Sequence, residues 1–306
     1  MSAASNSSIF TGLSKRLLFT WFLAFGCSKF LAVSHACENE PKHQTLSWKQ
    51  GFKEGVLTGA LTGVLLNPLD QYKIRSQALG SGAGEGLRAV MNAPFRGVRI
   101  SLLHGVSSNL LIFGTRPGFT ALSQHYLTDD DLTAVSTGGA MAGVFRSFVN
   151  APLGTLRTRQ YTGLKRKTLS EIYQDMPQGQ RARILFRGGP ACALENAAIW
   201  GGYFAMTEAA KHSSEDNSLL TRIGLGGPAF LVTNALGYPF DTVSGVQRRS
   251  DHPKNMLETG KDILRQRGIQ GFYKGFVTGV ALRSFLSGIL ISGVLTLSGS
   301  ENDGIE

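Results

Sequence analysis

A carboxylate and an ammonium three residues apart close an uncharged, glycine-rich run: Pro68-Leu-Asp70-Gln-Tyr-Lys73-Ile-Arg75-Ser-Gln77 follows Gly55–Asn67. On a helix that spacing puts Asp70 and Lys73 on one face, ready to pair with charges on another element. The chemistry these residues offer is ion pairing, and no catalytic constellation accompanies them. The chain shows no Ser/His/Asp order, no paired carboxylates and no His-Glu-x-x-His, so it reads as a non-enzyme. Three scattered cysteines and six dispersed histidines give neither a disulfide framework nor metal-ligand spacing. The glycine-rich stretch at 80–86 lacks the Gly-Lys-[Ser/Thr] ending of a phosphate loop and reads as a linker. No metal and no cofactor is expected.

The elements that must position these charges come from repetition. Pro152-Leu-Gly154-Thr-Leu-Arg157 ends the apolar run Thr133–Ala151, and Pro239-Phe-Asp241-Thr-Val-Ser244 ends the run Ile223–Tyr238. The three prolines lie 84 and 87 residues apart and are expected to kink their helices. Downstream of each comes an aromatic-basic-glycine triplet, Phe95-Arg96-Gly97, Phe186-Arg187-Gly188 and Tyr273-Lys274-Gly275, and each triplet opens another apolar stretch. Gly55, Gly59 and Gly63 recur every four residues, the pattern by which membrane helices approach closely. Three repeats of two runs predict an all-α membrane protein with six transmembrane helices.

Charge placement agrees with that topology. The 306-residue chain carries a net charge of +10, 42% hydrophobic residues and a mean hydropathy of −0.01. Within the segments joining paired runs, 73–97, 157–188 and 244–274, 19 bases stand against 6 acids. Asp129, Asp130 and Asp131 lie on the opposite side, with Glu301, Asp303 and Glu306 in the tail. Such asymmetry follows the positive-inside tendency of an even-spanning protein. A nucleic-acid binder would want a basic face with interleaved aromatics, so none is expected as a partner. Basic loops at a membrane suit anionic head groups such as cardiolipin.

Over residues 48–298 these motifs make the chain similar to the mitochondrial carrier family, whose signature is Pro-x-[Asp/Glu]-x-x-[Lys/Arg]-x-[Lys/Arg] followed by the glycine box, three times over. The first copy matches fully through Gln77; the second lacks its acid at Gly154, and the third lacks its base at Ser244. The resemblance implies a pseudo-threefold fold with a short matrix-side helix in each repeat. It divides the chain into an extension at 1–46, repeats at 47–126, 127–212 and 213–298, and an acidic tail at 299–306. It implies a matrix gate in which Asp70 pairs with Arg157 and Asp241 with Lys73, Gln77 ending the motif, while Gly154 and Ser244 leave a third slot empty. Losing both partners of one bridge strands no charge. For the cytoplasmic gate it points to Glu208 and Lys211 on the fourth span.

In carriers of this kind the solute is held mid-membrane on the even helices, a fixed distance past the glycine box. That rule selects His104, Glu195, Asn196, Leu282 and Arg283. An acid and a base facing one cavity suit a small zwitterionic or carboxylate metabolite, with Glu195 and Arg283 otherwise neutralising one another. The implied activity is transport by alternating access in the mitochondrial inner membrane, as a monomer. The alternative is a carrier-like scaffold or receptor that no longer transports. Residues 1–37 contain no acid and carry Lys15, Arg16 and Lys29, a presequence-like composition. The apolar segment 17–34 also fits a secretory signal or an extra anchor, which leaves a plastid or peroxisomal membrane as alternative destinations.

Overall fold

The computed structural model describes residues 48–79, 88, 90–162, 167–213, 219–250 and 254–300. The amino-terminal extension and residues 301–306 of the acidic tail lie outside the described residues. Every regular element among the described residues is helical. The order is α1 (Trp48–Leu65), α2 (Asn67–Leu79), α3 (Val98–Tyr126), α4 (Asp131–Val149), α5 (Ala151–Thr162), α6 (Leu169–Gln174), α7 (Arg181–Leu185), α8 (Gly189–Ser213), α9 (Leu219–Arg249), α10 (Met256–Arg267) and α11 (Ala281–Ser300).

The proline motifs act in two ways. Pro68 and Pro152 each occupy the second position of a new helix, where a missing N–H costs nothing, so α1 gives way to α2 and α4 to α5. The ladder resumes at once: Asp70 N donates to Leu66 O (2.9 Å) and Gly154 N to Asn150 O (3.0 Å). At the third repeat the helix is not interrupted, and α9 runs through both Pro228 and Pro239. At the opposite end α4 is started by Asp130, whose carboxylate accepts from the Thr133 amide (2.8 Å) and hydroxyl (2.6 Å).

Six long arms pack side by side in chain order. α1 lies on α3, α3 on α4, α4 on α8, α8 on α9, α9 on α11, and α11 returns to α1, which closes the ring. The glycine stripe makes the first contact: a Cβ at Gly59 would sit 2.5 Å from Val106 Cα, and one at Gly55 2.6 Å from Leu110 Cα. At the far end α2, α5 and α9 converge on one another. There the buried Tyr161 hydroxyl donates to Asn67 Oδ1 (2.6 Å).

The three box glycines share a conformation. Gly97, Gly188 and Gly275 have φ of 72°, 77° and 82°, the left-handed region, and each ends the loop that enters an even-numbered arm. A side chain there costs about 1–2 kcal/mol from backbone strain. At Gly188 a Cβ would also lie 2.9 Å from Ser244 O. We expect Gly188→Ala to lower the thermal midpoint by several degrees, whereas Gly179→Ala, with nothing within 4 Å, leaves it in place.

Polarity is distributed inside out. Thr58, Gln71, Ser108, Asn150, Thr155 and Ser284 are buried, while Leu57, Leu65, Leu103, Leu236 and Leu282 are at least half exposed. Among the described residues, one helix window, Ala281–Ser298, is long and apolar enough by itself to cross a membrane. The expectation of six such spans is not met by hydropathy in the other arms. They carry charges such as Glu54, Arg116 and Arg146 that face inward, and these depress the average without reaching the outer surface.

Candidate functional site

The convergent end is tied by carboxylates. Asp70, 3% exposed on the first turn of α2, accepts from Arg157 Nη2 of α5 at 2.6 Å. Lys73, one turn further along α2, meets Asp241 of α9 at 2.9 Å. The helical period puts both α2 charges on one face, and the restart at Pro68 turns that face toward α5 and α9. The structure therefore brings together the two charge pairs read from the motifs. The side chain of Gln77 lies outside the described residues.

The third slot departs from the sequence reading. Gly154 supplies no acid, and Ser244 turns away, its Oγ donating to Asp241 O of its own helix (3.2 Å). Arg248, one turn beyond Ser244, comes forward instead, with Nη1 3.3 Å from where a Gly154 Cβ would stand. The slot is thus occupied by a cation without its acid.

Arg283 of α11 is also placed differently. Its Nε donates to Asp70 Oδ1, so one carboxylate holds guanidiniums from two helices. The mutual neutralisation of Arg283 and Glu195 considered above does not occur. Glu195 makes no ion pair among the described residues and lines the cavity. Leu282 points outward, 57% exposed.

Above the tied end lies a cavity of about 160 Å³. His104, Glu195, Asn196 and Arg283 all line it, so the fixed-distance rule places these four together. His104 Nδ1 accepts from Arg157 Nη1 (2.9 Å), which links this position to the charge pairs below. Asn196 accepts from Arg146 Nη1 and donates to Cys192 O (2.8 Å) and to Cys192 Sγ (3.2 Å). The wall carries six cations: Lys73, Arg146, Arg157, Arg248, Arg249 and Arg283. It carries three acids, Asp70, Glu195 and Asp241.

The roof is aromatic. Phe113, Trp200, Tyr203, Phe204 and Phe230 form one buried cluster, with the Trp200 and Phe230 ring centroids 5.5 Å apart. Beyond it, Arg116 lies over the Phe204 ring (4.0 Å) in the field of Glu208 and Glu54. Buried Glu54 accepts from Ser298 (2.7 Å) and Gln50 (3.1 Å). Sequence reading placed Glu208 at this end; it missed Arg116 and Glu54, lone charges on separate helices with no spacing signal. The side chain of Lys211 lies outside the described residues.

Lys73 and Asp241 are 15% and 14% exposed. Removing one partner deprives the other of this bridge in a poorly solvated place. Lys73→Ala should therefore destabilise the protein more than Lys73→Ala/Asp241→Ala, and equal thermal midpoints for the two would remove the pair's significance.

Residues 215–295 match the profile of the family described as mitochondrial carrier protein. The chain is 27% identical to mitochondrial substrate carrier family protein L of Dictyostelium discoideum, over 69% of this chain and 81% of that protein. It is 27% identical to mitochondrial thiamine pyrophosphate carrier 1 of Candida albicans, over 52% of this chain and 58% of the relative. To the thylakoid ADP,ATP carrier protein of Arabidopsis thaliana it is 25% identical, over 45% of this chain and 34% of that protein. With three proline motifs, three left-handed box glycines and these relatives, the chain is similar to the mitochondrial carriers, and its residues 215–295 match that family's profile.

Proposed function

We propose that this protein carries a small anion across a mitochondrial membrane by alternating access, with the six arms spanning the bilayer and the cavity as the solute site. The observation that carries the reading is the charge of the cavity wall, six cations against three acids. An excess of three positive charges in a weakly polarisable enclosure favours an anion over a zwitterion, so the carboxylate half of the sequence reading is retained. Phosphorylated solutes satisfy the same wall, and two relatives are named for thiamine pyrophosphate and for ADP and ATP.

The inside-out polarity supports a lipid surroundings for the arms, since apolar side chains outside and paired polar groups inside is what a bilayer demands. In this setting the pairs Asp70–Arg157 and Asp241–Lys73 serve as the matrix gate. Arg116, Glu54 and Glu208 serve the opposing one. The destination is the mitochondrial inner membrane, and the thylakoid relative makes a plastid membrane the competing assignment.

The test is uptake into vesicles reconstituted with the full chain. Labelled di- and tricarboxylates and phosphate esters should enter, and neutral amino acids should not. Arg146→Gln removes a guanidinium that touches no gate pair, and uptake should fall at least about tenfold from one lost charged contact. Entry of no solute from either class would favour the scaffold reading.

A further inference from the structure

The third slot of the tied end holds a cation with no bridging acid of its own, reached at longer range by Glu195 and Asp241. Asp70 and Asp241 each close a bridge, whereas the position of the third acid is Gly154, with Arg248 Nη1 and Nη2 3.3 and 3.5 Å from its would-be Cβ. Arg248 forms no ion pair with a carboxylate among the described residues, and its Nε is buried without a hydrogen-bond partner. Arg146 approaches the same point from α4: its Nη1 is spent on Asn196, and its Nε is likewise buried and unpartnered. Asn196 bonds Cys192, and Cys192 faces Arg248, so the two guanidiniums flank a single corner of the cavity.

A guanidinium with no bridging acid keeps unspent donors, and a second one alongside adds repulsion. An anionic group repays both, because a phosphate or carboxylate accepts the fork of each arginine. We propose that the anionic group of the solute itself supplies the missing third carboxylate, seating between Arg248 and Arg146 and completing the ring at the convergent end. This rests on the reading of the chain as an anion carrier. The consequence is that the loaded protein closes with three bridges and the empty one with two.

Purified full-length protein in detergent is heated with inorganic phosphate or malonate, against chloride at matched ionic strength. At saturation the wild type should gain about 5 °C over chloride. Stabilisation by phosphate alone assigns a phosphoryl group, by malonate alone a carboxyl group, and by both an unselective anion seat; all three support the proposal. Gly154→Asp provides the absent acid, so its midpoint should rise without ligand and most of the anion shift should vanish. The neutral control Gly154→Asn should keep the shift. Should Gly154→Asp fail to fold, Arg248→Gln decides, and it must lose the shift. A wild type that neither anion stabilises overturns the proposal, and so does a Gly154→Asp protein with the full wild-type shift. If vesicles still take up anions in those cases, the carrier reading survives; absence of uptake removes both.

Discussion

Asp70→Ala is expected to be the most damaging single side-chain deletion in this protein. The carboxylate is 3% exposed and holds Arg157 of α5 and Arg283 of α11, so its loss strands two guanidiniums from two helices at once. Breaking a buried pair by removing one partner costs about 3–5 kcal/mol, and here a second cation is left behind as well. The thermal midpoint should fall accordingly, and uptake should be lost with it. Asp70→Asn should be nearly as severe, because an amide keeps the shape and cannot neutralise either arginine. Asp70→Asn/Arg283→Gln should regain part of the stability by withdrawing one of the stranded charges. A midpoint for Asp70→Ala within a degree of wild type would show that the pairing seen here carries no stability.

Gly59→Leu should prevent α1 from seating on α3. A Cβ at this position lies 2.5 Å from Val106 Cα and 2.6 Å from Gly105 O, and both are backbone atoms that no rotamer change can move. The helices must separate along their length, since Gly55 and Gly63 make the same approach on either side. The expected loss exceeds the roughly 1–3 kcal/mol typical of overpacked cores, where side chains can shift. The readout is the fraction of monodisperse protein after detergent extraction, together with its melting curve. Gly224→Leu, at a position with nothing within 4 Å, should behave as wild type, and equal behaviour of the two variants would remove the close approach as a determinant.

Much of the architecture was legible because helical periodicity and proline chemistry act locally. Asp70 and Lys73 fall on one face whatever surrounds them, and the restart at Pro68 aims that face at α5 and α9. The glycine boxes were legible as markers, although the left-handed backbone that requires them appeared only in the fold. Arg283 lines the expected cavity, and its contact with Asp70 was not legible in the sequence. A long arginine reaches whichever carboxylate the ring brings near, and that is settled by α11 packing beside α1, far from it in sequence. Glu54, Arg116 and Arg248 were missed for a related reason: each is a solitary charge whose meaning depends on residues from other helices.

The carboxylate of Asp70 gives the movements of α5 and α11 a shared history. While both arginines hold it, each screens the other, so the first to depart leaves its companion facing an undivided negative charge and gripped harder. Were the two arginines to leave this acid in turn, the second departure would be the harder, with a half-unlatched form between them.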